Sequence, residues 1–117
     1  MTDASYEPEA GDLVWTGFDP RTGREQSGRR PAVVVSPRAF WDASRFLIVC
    51  PITSRIRPFA ASVLLPDGLP VKGEVLTSHI RSIDTLARPV VFAGAALPAL
   101  LLDELREKIA VLIGYRV

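Results

Sequence analysis

Leu13 and Trp15 alternate with polar neighbours across residues 11–18, the period-two pattern of a strand buried on one face. The pattern then breaks. Residues 19–30 hold Asp19, Pro20, Gly23 and Gly28 among charges, a turn-forming composition with no apolar period, so they read as a long loop. Pro31 closes that loop. The unbroken run Ala32-Val33-Val34-Val35 after it predicts a strand covered on both faces, and further strands are predicted over 46–50, 60–65, 73–77 and 80–83. The last segment changes period: Leu101, Leu105, Ile109 and Leu112 recur at helical spacing, with Leu102 and Ile113 widening the stripe. An amphipathic helix over residues 98–113 follows. Pro98 suits its first turn and Gly114 its stop, Asp103 and Glu104 lie near the positive end of the helix dipole, and Glu104 can pair with Lys108.

Short strands joined by turns rather than crossover helices, followed by one terminal helix, predict a mainly β fold: a small, strongly curved antiparallel sheet or barrel closed by a C-terminal α-helix. The 117 residues suffice for one domain, with residues 1–10 read as a loose N-terminal arm. With 48% apolar and 23% charged residues the composition is that of a globular protein. No apolar run approaches the roughly 20 residues of a membrane span. The acidic start (Asp3, Glu7, Glu9) does not resemble a secretory signal, so a cytoplasmic protein without membrane contact is expected. A single cysteine, Cys50, and a single histidine, His79, exclude an internal disulfide and a zinc ligand set; no metal and no cofactor are expected.

The net charge of +1 hides a segregation. Residues 1–20 carry five acids and no base, residues 21–57 carry eight Arg against Glu25 and Asp42, and residues 58–117 balance six against six. Arginine forks hold phosphates through paired hydrogen bonds and stack on bases, so the basic middle third suits a nucleic-acid backbone. A solvated loop face is the alternative.

Phosphate-loop, dinucleotide-binding, nucleophile-elbow and paired-histidine motifs are all absent. What remains is polar chemistry beside strand ends: Glu25, Gln26, Arg29 and Arg30 on the long loop, and Thr53, Ser54, Arg55 and Arg57 after Cys50-Pro51. A guanidinium beside a hydroxyl suits phosphoryl chemistry, because preorganised donors stabilise the charge that gathers on a pentacovalent phosphorane. RNA brings its own nucleophile, the ribose 2′-hydroxyl, and needs only an acid, a base and oxyanion donors. Each candidate also has a structural reading. Arg30 could pair with Glu25, Thr53-Ser54 could be a self-satisfying turn, and His79 could be a general acid or a hydrogen-bonded core residue. Cys50 reads as a small buried apolar residue, and Trp15 as core rather than a base-stacking platform.

Gly11-Asp12-Leu13-Val14-Trp15, Phe18-Asp19-Pro20, Gly23 through Glu25-Gln26 to Gly28, and Arg30-Pro31-Ala32-Val33-Val34-Val35-Ser36 together resemble the N-terminal signature of the MazF/PemK toxins. The similarity continues through Cys50-Pro51-Ile52-Thr53-Ser54, Pro58-Phe59, Gly68-Leu69 and Ile80-Arg81-Ser82-Ile83-Asp84, covering about residues 6–114. The resemblance implies an SH3-like small antiparallel β-barrel with a C-terminal α-helix, assembled as a homodimer. It implies sequence-specific, metal-independent cleavage of single-stranded mRNA, leaving a 2′,3′-cyclic phosphate and a 5′-hydroxyl, under control of a cognate antitoxin with an acidic disordered segment. By motif position Arg30 and Thr53 match the family's catalytic Arg and Thr, and Glu25 and Gln26 the loop pair tied to activity and substrate contact. Arg29, Ser54, Arg55, Arg57, His79 and Arg81 are then candidate substrate contacts. Ser78-His79 departs from the acidic residue and Gln that many members carry there, which points to different base recognition. The same fold also serves a branch that grips a protein target, DNA gyrase, without cutting RNA.

Overall fold

The computed structural model describes residues 5–17, 29–57 and 61–116. Within them, successive strand residues turn alternately into two apolar clusters, one on each face of a single antiparallel sheet. Leu13, Val33, Val35, Cys50, Ile52 and Val75 belong to one cluster, and Val14, Ala32, Val34, Leu47, Val49 and Ile83 to the other. That two-sided burial explains the unbroken apolar run at 32–35.

The strands are β1 (Asp12–Gly17), β2 (Arg29–Val34), β3 (Phe46–Thr53), β4 (Ser62–Leu64), β5 (Glu74–Leu76), β6 (Arg81–Asp84) and β7 (Val90–Ala96). The helices are α1 (Arg38–Ser44) and α2 (Ala99–Leu112). Pairing runs β4-β5-β3-β2-β1-β7, with β6 lying on β3 as well. Strand β3 is the hub: β2 flanks one side, while its other side pairs first with β6, at Phe46 to Val49, and then with β5, at Ile52 and Thr53. The antiparallel sheet and C-terminal helix are as predicted. Among the described residues the hydrogen-bonded ladder does not pair its two outer strands, β4 and β7, with each other.

Helix α2 covers the first cluster through Leu105, which is fully buried, with Leu101 and Ile109 packed beside it. Full burial of a leucine contributes about 1.5–3 kcal/mol. Arg106 fastens the helix to the sheet, its Nε and Nη2 donating to the Val35 carbonyl at 3.1 and 2.8 Å. Lys108 donates to the Ser62 carbonyl at 2.9 Å and pairs with Glu104 at 3.3 Å. The apolar stripe outruns the core: Leu112 and Ile113 are exposed.

Two elements were not predicted. Helix α1 buries no residue fully, so it carries no strong period, and β7 is built from Val-Val-Phe-Ala-Gly-Ala-Ala, whose small residues blur the alternation. The expected loose arm also needs correction over its described part. Tyr6 stacks on Phe92 with ring centroids 5.3 Å apart and donates its hydroxyl to Asp12 at 2.6 Å. Burial and the adjoining Asp12 carboxylate push its ionisation well above the ordinary tyrosine range. Glu7 and Glu9 both bind Arg38, which also meets Asp42.

Candidate functional site

Register builds the site. Thr16 of β1 pairs with Arg30 of β2, and Thr53 of β3 pairs with Glu74 of β5. Between these pairs, Ala32 faces Pro51. The β2–β3 pairing ends there; continued by two residues, the same antiparallel register brings Arg30 level with Thr53, and side-chain alternation puts Thr16, Arg30, Thr53 and Glu74 on one face of the sheet. Two candidates 23 residues apart in sequence are thereby brought together.

This row is buried at both ends, Thr16 and Glu74, and more open between them. Thr16 is fully buried and donates to the Pro89 carbonyl at 3.0 Å, whereas Arg30 is exposed and Thr53 half-buried. Thr53 Oγ1 accepts the Arg55 N–H at 3.1 Å, which is the self-satisfying turn expected of Thr53-Ser54. That bond occupies a lone pair of the hydroxyl and leaves its proton to donate elsewhere. The turn and catalytic readings of Thr53 are therefore compatible. Ser54, Arg55 and Arg57 follow as an exposed stretch.

Arg29 pairs across from Gly17 and its side chain belongs to the opposite sheet face, half-buried. Arg81 is exposed and level with Val49, on the same face as Thr53 but four residues back along β3, about 13 Å away. His79 closes a single 3₁₀ turn, Thr77–His79, between β5 and β6 beside β3, and it is exposed, which rules out a core role. Glu25 and Gln26, together with Phe18 and Pro58-Phe59, lie outside the described residues. Trp15 departs from its core reading, being 36% exposed at the outer end of β1. Cys50 is fully buried, and burial pushes its thiol up to about 12, so it is not a nucleophile.

Sequence reasoning missed Glu74. Its carboxylate is buried, with Oε1 accepting the Arg57 N–H at 3.1 Å and Oε2 the Ser62 hydroxyl at 2.9 Å. The available signal was a lone acid inside a predicted strand, at a position where an apolar residue is the rule. Arg30, Arg55 and Arg57 make no side-chain ion pair among the described residues. An exposed arginine and a hydroxyl with its proton to donate on one sheet face, with two more exposed arginines on the stretch that follows the hydroxyl, are equipped to bind a phosphodiester and stabilise added negative charge on it.

Residues 9–113 match the family described as PemK-like, MazF-like toxin of type II toxin-antitoxin system. The endoribonuclease toxin MazF of Escherichia coli is 37% identical over 109 residues, covering 93% of this chain and 96% of that protein. The endoribonuclease toxin ChpB of the same organism is 38% identical over 96 residues, covering 77% and 81%. Among solved structures, MazF from Deinococcus radiodurans superposes with a TM-score of 0.83 at 44% identity, covering 94% of this chain and 99% of that one. A MazE-MazF structure from the same species superposes at 0.81 with 40% identity, covering 94% and 98%.

Proposed function

The chain belongs to the PemK-like, MazF-like toxin family and, with its curated relatives, is an endoribonuclease toxin, and we propose that it cuts single-stranded mRNA at the Arg30–Thr53 row without a metal. The observation that carries this reading is the alignment of the two residues on one open sheet face, beside the Arg55 and Arg57 stretch.

In the proposed reaction the ribose 2′-oxygen attacks the adjacent phosphorus and the 5′-oxygen of the next nucleotide departs. A 2′,3′-cyclic phosphate and a 5′-hydroxyl result, with one proton lost at the nucleophile and one gained at the leaving oxygen. Thr53 donates its hydroxyl proton as a hydrogen bond to a non-bridging oxygen. Arg30 stabilises the phosphorane or delivers a proton, while Glu25 and Gln26 act from the preceding loop. Ser54, Arg55, Arg57, Arg29, His79 and Arg81 contact the flanking nucleotides, and base choice follows from them.

The MazE-MazF complexes of the relatives support regulation by an antitoxin. An acidic, disordered segment of that partner would be drawn to the same arginines as RNA, and would compete with it in the cytoplasm. A homodimer would set two such faces along one groove. The test is direct: incubate the purified protein with a long single-stranded RNA in EDTA and sequence the fragment ends. Cuts at a short recurring motif, with 5′-hydroxyl ends, are expected. RNA left intact across many sequences would sink the proposal and favour the protein-gripping branch of the fold.

A further inference from the structure

Glu74 occupies a strand between β3 and β4 where its neighbours Val63 and Val75 are buried and apolar. Burying a carboxylate is unfavourable unless donors meet it, and here the donors come from two places in the chain. Oε1 takes the Arg57 N–H and Oε2 takes the Ser62 hydroxyl. Arg57 lies within the connection from β3 to β4 and Ser62 opens β4, so one side chain ties the stretch that follows Thr53 to the start of the next strand. A second constraint acts on the same strand end. Gly73 adopts φ +135°, and a Cβ there would fall 2.1 Å from the Thr53 carbonyl oxygen, so the backbone just before β5 lies directly against Thr53.

We propose that Glu74 is a positioning residue for RNA cleavage, acting through the loop it ties rather than by touching substrate. Thr53 is held from one side by its pairing with Glu74 and from the other by the Arg55 N–H, and Arg57 is held by its own N–H on the carboxylate. The carboxylate thus fixes the backbone at Arg57, and through the short stretch from Thr53 to Arg57 it sets how that stretch stands relative to the Thr53 hydroxyl. Loss of the tie leaves each group present but displaced. The inference rests on the RNA-cleaving reading.

The test compares Glu74→Gln, Ser62→Ala and Glu74→Val on the same RNA in EDTA, with fragment-end sequencing, kcat and KM, and a melting curve for each. Glutamine keeps an oxygen for the Arg57 N–H, and the Ser62 hydroxyl can reverse to accept from its amide, so near wild-type cleavage and site choice are expected. Valine fits a buried strand position but offers no acceptor. A roughly ten- to hundred-fold fall in kcat/KM is expected, the scale of a small displacement of reacting groups. A wider set of cut sequences should accompany it, a change that mere loss of folded protein does not produce. Ser62→Ala should shift both quantities in the same direction by less, and it serves if the valine variant fails to fold. Folded Glu74→Val or Ser62→Ala protein that cuts the same sites at the wild-type rate would overturn the positioning role alone. A wild-type chain that leaves RNA intact would overturn the cleavage reading and this inference with it.

Discussion

Where β3 begins, Arg38 lies among Glu7, Glu9 and Asp42, and Arg45 sits with its guanidinium carbon 4.0 Å from the Trp41 ring centroid. Where β3 ends, the side chains of Arg30, Arg55 and Arg57 are exposed with no carboxylate partner among the described residues. The two groups share a side chain and differ in company. At the first end the Arg38 guanidinium is consumed in joining the N-terminal arm to α1; desolvation lowers its pKa, but hydrogen bonds to Asp42, Glu9 and Glu7 together outweigh that and raise it. At the second, no described acid meets the guanidinia, and the proposed function assigns them to an external anion. The basic third of the chain therefore divides into arginines held by Glu7, Glu9, Asp42 and Trp41 and arginines that the proposed function assigns to RNA.

The sharpest way to break this division is to remove one arginine from each end. Arg30→Ala, like Thr53→Ala, is expected to lower cleavage by about 100- to 1,000-fold, the usual cost of losing one oxyanion donor, without moving the melting transition. Arg38→Ala should do the reverse, lowering the melting temperature while single-turnover cleavage stays near wild type. Equal losses of activity in both variants would dissolve the distinction.

Salt provides the next measure. An uncleavable single-stranded RNA should bind more weakly as salt rises, and each lost phosphate contact reduces the logarithmic slope by roughly 0.7. The Arg55→Ala/Arg57→Ala double variant is therefore expected to flatten that slope by about 1.4, whereas Arg45→Ala leaves it unchanged.

At the structural end, Tyr6→Phe removes the hydrogen bond to Asp12 and should cost roughly 1–2 kcal/mol in a denaturant titration. Its pH dependence has a definite sign. Because the folded state raises the phenol's pKa, the contribution is fully present below the unfolded value of about 10 and is lost as pH climbs above it. The phenylalanine variant should lack that alkaline component. The smallest effect concerns Cys50: with its thiol held neutral and buried, iodoacetamide at pH 8 should leave the folded protein unmodified and label it only in denaturant.

Much of this architecture was readable from periodicity. Helix α2 runs from Ala99 to Leu112 where the leucine spacing placed it, and the predicted strands each have a counterpart, with β3 extending to Thr53 beyond the expected end at residue 50. Periodicity reports burial, and it falls silent where burial is weak or side chains are small. Hence α1, with no buried residue, and β7, with Gly94 among alanines, were not foreseen. The candidate residues stood out as types beside strand ends, but bringing Arg30 level with Thr53 depends on register between strands, which local pattern does not encode. Glu74 was opaque for a related reason. Its partners lie 12 and 17 residues away and one of them is a backbone N–H, which no side-chain motif records.

The close approach at Gly73 has a genetic consequence. Any side chain there would collide with the Thr53 carbonyl and require a backbone conformation that other residues rarely adopt. If expression of the chain arrests growth, colonies that escape should carry Gly73 substitutions alongside changes at Arg30 and Thr53, although Gly73 offers no chemistry of its own. A map of surviving mutants would then outline the backbone that holds the reacting groups as well as the groups themselves.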